Sequence, residues 1–294
     1  MRKIFDVHVH FPRNWENPDE DPAPQVERLA GILDKCGVTR ACMLTGDRFG
    51  PTYERGLEIL RDYTSLFIPV AVIDPEENGP AEVQHLYDMG YRGLKLIGVA
   101  RDYDTPDYMP TYGRAEKLGM PILFHMGVIG GGLDYSRTHP RRNPEAALAY
   151  TRMMQMTARS GPRDVSALRM SPLHLDTIAN RHPDLRIIGA HLGNEGNYAY
   201  SASVARWRHH VFFDMSGGET IEDDAMELGL IGKRIGVEKL IWGSDCGMDD
   251  IQEHIDRFDI MYDKLGLSED DRERLWWRNG AEIYGLEQPA VAEE

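Results

Sequence analysis

The sequence predicts a (β/α)8 barrel, the TIM fold, and three observations carry that expectation. Eight short apolar runs rich in β-branched residues recur along the 294-residue chain. Between them lie longer segments whose apolar residues return at helical spacing, so strand and helix patterns alternate. No GxGxxG and no phosphate-binding GKS/T sequence follows any strand, which removes the support that a doubly wound open sheet would need.

Taken in order, the strands fall at residues 3–9 (KIFDVHV), 38–44 (VTRACML), 66–73 (LFIPVAVI) and 92–97 (RGLKLI). Four more fall at 121–125 (PILFH), 185–190 (LRIIGA), 211–215 (VFFDM) and 239–243 (KLIWG). Amphipathic helices are expected at 25–36, 80–89 and 172–181, and two further helices near 249–265 and 269–284 close the chain. The longest irregular stretch runs from Gly127 to Ser171, with GGG at 130–132, then Arg137, His139, Arg141 and Arg142, then a helix near 144–159. An insertion of this length after a fifth barrel strand is expected to be a functional loop or a partner contact. With no repeat and no linker, one domain is expected over residues 1–288, followed by a frayed tail at 289–294.

Bulk composition narrows the class. The chain is 41% apolar, enough for a large core without disulfide or metal staples. Its 48 acidic and 33 basic residues leave a net charge of −15, a poor footprint for nucleic acid or an anionic membrane. Cys36, Cys42 and Cys246 lack CxxC spacing, which argues against a disulfide framework and for a reducing cytoplasm. The N-terminal residues show no signal peptide, and no stretch approaches the roughly 20 apolar residues of a membrane span. The expected partner is a small molecule. Homo-oligomerisation is left open.

Where the polar residues fall matters more than their number. His8 and His10 lie at i and i+2 on the first strand, so period-2 alternation points both toward the barrel interior. His125 ends the fifth strand, His191 ends the sixth and Asp245 follows the eighth. Residues at the C-terminal ends of barrel strands converge on the rim where such barrels do chemistry. A lone histidine at a strand end is usually a hydrogen-bonded structural residue. An HxH pair joined by His, His and Asp on later strands is instead the donor set of a divalent cation, Zn²⁺ first, with Mn²⁺, Fe²⁺ or Co²⁺ as alternatives.

The segments DVHVH, GLKL, ILFH, PDLRIIGAHLG, VFFDMSG and WGSD resemble the amidohydrolase superfamily, in particular its amidohydrolase-related branch. The resemblance runs from Asp6 to about Leu286. That branch holds metal-dependent hydrolases and non-oxidative decarboxylases similar to aminocarboxymuconate semialdehyde decarboxylase. Carried over residue by residue, the resemblance implies one divalent metal ion on His8, His10, His125 and Asp245. Asp245 would also accept a proton from the metal-activated water, and His191 would be a catalytic, substrate-polarising residue. Lys95, near the end of the fourth strand, has three readings: a substrate or electrostatic contact, a structural ion pair, or a carboxylated lysine bridging two metals.

For substrate binding the candidates are Lys95 and three arginines, Arg13 after the HxH strand, Arg48 after the second strand and Arg137 in the long loop. A guanidinium near a metal suits a substrate carboxylate held bidentately. The alternative for each arginine is an ordinary solvated surface charge. Asp214 and Ser216 are expected to form a hydrogen-bond network at the rim. In related decarboxylases a glutamate often stands three residues after the sixth-strand histidine, whereas here Asn194 occupies that place and Glu195 follows. The preferred expectation is a metal-dependent hydrolase acting on an amide, lactone or ester of a small, carboxylate-bearing substrate. The alternatives are a decarboxylase of an aromatic or enoic carboxylate and a binding protein that keeps a metal site without turnover.

Overall fold

The computed structural model of the chain describes residues 2–12, 20–46, 50–129 and 165–286. Most of the insertion after the fifth strand, the helix expected at 144–159 and the tail lie outside these residues. Eight strands form one parallel sheet in sequential order: β1 Ile4–His10, β2 Val38–Thr45, β3 Phe67–Ile73, β4 Gly93–Leu96, β5 Ile122–Phe124, β6 Ile187–Gly189, β7 Val211–Asp214 and β8 Leu240–Ile241. Backbone hydrogen bonds from Val7 N–H to Trp242 O (3.3 Å) and from Asp245 N–H to His8 O (2.9 Å) join the last strand to the first. The ring of a (β/α)8 barrel is thereby closed.

Strands in such a ring are covered on both faces, which is why they read as nearly continuous apolar runs. In β2 Ala41, Cys42, Met43 and Leu44 are all buried. An inner layer of Phe5, Val7, Cys42, Ile68, Val70, Leu123, Ile188 and Ile241 packs as one cluster. Strict alternation would send His8 and His10 to the face opposite Phe5 and Val7. The pairing of β1 with β2 shifts register between Asp6 and Val9. Such an irregularity inserts a residue and re-aims the side chains beyond it, so the apolar pair and the histidine pair both face inward.

Helices α1 (Ala23–Lys35), α2 (Tyr53–Leu60), α3 (Pro80–Met89) and α4 (Met109–Leu118) alternate with the first five strands, followed by α5 (Leu173–Arg181), α6 (Tyr198–Trp207), α7 (Glu219–Glu227) and α8 (Ile251–Leu265). In α8 the buried residues Ile251, Ile255, Phe258 and Tyr262 line one stripe, and Gly266 ends the helix in the left-handed conformation at φ 63°. The expected helix over 269–284 is two short helical pieces, α9 (Glu269–Glu273) and α10 (Asn279–Ile283), joined by a π segment at Arg274–Arg278. Within the π segment the Leu275 carbonyl accepts the Trp242 N–H (3.1 Å). Just beyond, the Asn279 side-chain amide donates to Val237 O and Leu240 O (2.7 Å each). This wider turn thus latches the closing segment onto β8. Among the described residues no helix is long and apolar enough to cross a membrane.

One ion network ties α7 to α8. Glu222 is buried, meets His254 Nδ1 at 3.0 Å and also binds Arg257. Burial pulls the His254 imidazolium down, but the Glu222 carboxylate more than offsets this, so its pKa lies above the ordinary 6.5. A group raised in this way contributes stability that is complete below its unfolded pKa and is lost as pH rises through the folded one. His254→Gln should therefore destabilise the protein by about 0.5–1 kcal/mol below pH ~6, the difference shrinking as pH rises. Urea melts of both proteins across that range would measure it. A difference that grows with pH would contradict the assignment.

Candidate metal centre

Every described residue singled out for chemistry lies at the C-terminal end of the ring. His8 and His10 end β1, Lys95 sits within β4, His125 follows β5, His191 lies in the turn after β6 and Asp245 follows β8. His8, Lys95, His125 and His191 are buried, whereas the His10 side chain is 41% exposed and stands at the mouth. Arg13, Arg48 and Arg137 lie outside the described residues, as do His139 and Arg141.

Asp245 is the hub. Its Oδ1 lies 3.1 Å from His10 Nε2 and 3.7 Å from His8 Nε2, and its Oδ2 lies 3.7 Å from His191 Nε2. His8, His191 and Asp245 bring one donor atom each within 4.8 Å of one another. His125 joins the group through His191, with 3.3 Å between His125 Nδ1 and His191 Nε2. The Lys95 amine packs against the same group at 3.2 Å from His8 Nε2.

The hydrogen bonds on the far sides of the rings show what faces inward. His125 Nε2 lies 3.3 Å from Val128 O, and His191 Nδ1 lies 3.3 Å from Ser216 O. A carbonyl can only accept, so the proton sits on Nε2 of His125 and on Nδ1 of His191. His125 Nδ1 and His191 Nε2 then turn lone pairs toward one another beside the Asp245 carboxylate. Two lone pairs and a carboxylate repel unless a positive charge lies among them. This donor set fits a divalent cation of the borderline-soft class that takes imidazole and carboxylate together.

Backbone strain is concentrated here. Among the described residues the non-glycine positions at positive φ are His191 (59°), Leu192 (53°), Asn194 (69°) and Asp245 (45°). Each costs roughly 1–3 kcal/mol and persists only where its surroundings over-determine it. Asp214 Oδ1 accepts the His191 N–H (2.8 Å), and His8 O accepts the Asp245 N–H. The Asn194 amide donates to Met126 O (3.2 Å) and Val128 O (3.0 Å), clamping the loop after β6 to the one after β5. Two glycines allow the close approach. A Cβ on Gly243 would meet His8 Cβ at 3.0 Å, and one on Gly217 would meet Ile221 at 2.9 Å and His191 Nδ1 at 3.2 Å.

Electrostatics follow from burial. It pulls His8 down to about 4, so this imidazole is neutral at pH 7. It pulls the Lys95 ammonium down to about 8, against the opposing pull of Asp245 and Asp214. Burial alone would raise Asp245, but the imidazoles of His8, His10 and His191 outweigh it and hold the carboxyl well below the usual range. Asp6 is a further residue that strand patterning does not disclose. Its Oδ1 accepts from the N–H groups of His8 (3.0 Å) and Ser244 (2.9 Å), tying the HxH strand to the segment that carries Asp245. The only signal for it in the sequence is a carboxylate inside an apolar strand.

The chain belongs to the amidohydrolase family, whose model matches residues 5–286. It is accordingly an enzyme of the amidohydrolase superfamily, whose members bind divalent metals. Comparison with curated proteins returns no match. Solved structures share the fold. A probable 2-pyrone-4,6-dicarboxylic acid hydrolase from Acinetobacter baumannii, with citric acid bound, is 15% identical at TM-score 0.63, over 96% of this chain and 99% of its own. An amidohydrolase from Burkholderia multivorans with bound zinc is 13% identical at TM-score 0.62, over 97% and 99%. A mutant organophosphorus hydrolase from Deinococcus radiodurans is 13% identical at TM-score 0.55, over 97% and 93%.

Proposed function

We propose that the chain is a metal-dependent hydrolase of an amide, lactone or ester in a small, carboxylate-bearing molecule, with His8, His10, His125 and Asp245 holding one divalent cation, zinc first among the candidates. The observation that carries this reading is that His8, His191 and Asp245 bring donor atoms within 4.8 Å of one another, with His10 Nε2 at 3.1 Å from Asp245 and His125 Nδ1 at 3.3 Å from His191 beside them. A hydrolase neighbour named for a dicarboxylic acid and another with bound zinc agree with it; the decarboxylase alternative gains no such support.

A cation held by these residues would supply polarisation of a carbonyl oxygen and a lowered pKa for water beside it. The chain's own residues supply the rest. Asp245, ionised and hydrogen-bonded, takes the proton of the attacking water on a carboxylate oxygen. His191 carries its own proton on Nδ1, so its Nε2 can take that proton over from Asp245, which returns to its ionised form, and hand it to the leaving group. The Lys95 amine, buried at the floor, can hold the carbonyl oxygen or a substrate carboxylate as charge develops. The test is turnover of a panel of lactones, amides and esters bearing a free carboxylate in water enriched with heavy oxygen. The isotope should enter the product. Release of CO2 with a solvent deuteron on carbon would replace this reading with a decarboxylase.

The same centre predicts a metal count. Lys95 stays a free amine and the purified protein holds about one equivalent of metal, with activity indifferent to bicarbonate. Elemental analysis with mass spectrometry of the intact chain checks both. Two cations about 3.5 Å apart, bridged by a carbamate on Lys95, would show the count to be wrong.

A further inference from the structure

We infer that Asp214 is a positioning residue that sets the tautomer of His8, holding its ring proton on Nδ1 so that Nε2 faces the centre as a lone pair. The inference rests on the reading of the centre as a cation site. His8 Nδ1 lies 2.9 Å from Asp214 Oδ2, and both side chains are buried away from water. On the other edge of the ring, His8 Nε2 meets the Lys95 amine at 3.2 Å, a donor that needs an acceptor. Both contacts are satisfied by one tautomer only, with the proton on Nδ1.

The other oxygen of Asp214 is fully engaged. Oδ1 accepts from His191 N–H (2.8 Å), Ser216 N–H (3.1 Å) and the Ser216 hydroxyl (2.7 Å). With its own proton given to Asp214, the Ser216 hydroxyl is an acceptor for His191 Nδ1–H at 3.0 Å. One carboxylate at the end of β7 therefore orients two imidazoles, His8 directly and His191 through its backbone and Ser216.

The arrangement dictates what Asp214→Asn does. Three donors already claim the Oδ1 position, so the asparagine oxygen must sit there. Its NH2 then takes the Oδ2 position and donates to His8 Nδ1. The His8 proton moves to Nε2, and the lone pair is lost from the centre. His191 keeps its Nδ1–H because the Ser216 carbonyl and hydroxyl are unchanged, which makes it an internal control for the fold.

The experiment is long-range ¹⁵N–¹H correlation on metal-free protein labelled at histidine, for wild type, Asp214→Asn and Ser216→Ala, followed by Zn²⁺ titration of each. Expected are Nδ1–H for His8 in wild type and Ser216→Ala, Nε2–H in Asp214→Asn, and Nδ1–H for His191 in wild type and Asp214→Asn. Zinc affinity should fall about 10–100-fold in Asp214→Asn. Wild-type His8 protonated on Nε2, or an unchanged His8 tautomer in Asp214→Asn with His191 intact, would overturn the inference. Should Asp214→Asn fail to fold, Nε2–H at His8 in wild type or in Ser216→Ala still overturns it. A tautomer switch in a chain that binds no zinc in any form would uphold the role of Asp214 and defeat the metal reading instead.

Discussion

Asp245→Asn should lower turnover by roughly 10²–10⁴ while the chain keeps much of its metal. Asparagine retains an oxygen that can touch a cation, but it cannot take a proton. The carboxylate it replaces is flanked by His8, His10 and His191 and held well below the usual carboxylate range. The loss should therefore appear in kcat rather than in KM, and heavy oxygen should still enter the little product that forms. Turnover equal to wild type at equal metal content would remove Asp245 from the role of base. Loss of the metal itself would show that the negative charge is needed for binding first.

The largest effect on stability is expected from Trp242→Ala. Trp242 is fully buried and packs against a tilted Trp276 at 5.2 Å between ring centroids and edge-on against Phe258 at 6.5 Å. It also sits on the seam, since its carbonyl accepts from Val7 and its N–H donates to Leu275. Removing the indole should cost about 3–5 kcal/mol, which for a chain of this size lowers Tm by about 5–8 °C. Trp242→Phe should recover roughly half of that, because among the described residues the indole N–H has no hydrogen-bond partner to lose. Calorimetry on the three proteins decides it. A shift of only a degree or two in Trp242→Ala would mean that Trp276 and Phe258 collapse into the space.

The ring was legible because a buried parallel strand has a strong local signature, and all eight runs became strands. Their ends were less so. The expected strands 121–125 and 185–190 narrow to Ile122–Phe124 and Ile187–Gly189; at the second the chain enters a helical turn at Ala190–Gly193, and an apolar run does not record a turn of that kind. The irregularity in β1 was invisible for a related reason. Register is a property of two strands, and only pairing with β2 reveals it. Among site residues, strand-end position singled out His8, His10, His125, His191 and Asp245. The depth at which Asp6 and Asp214 support them depends on hydrogen bonds across the ring, between residues 238 and 206 positions apart. No local pattern carries such partners.

That same seam orders events in time. Asp245 is synthesised long after the HxH pair, so no chain that stops short of β8 holds the proposed donor set, and a cation on it would be gripped only once β8 has docked against β1. Closing a loop this long is slow and entropically costly. A cation seated across it, as proposed, would bind the closed ring and not the open one, and so would shift the balance toward closure by mass action. Removal of the proposed cation would therefore weaken the seam between β8 and β1.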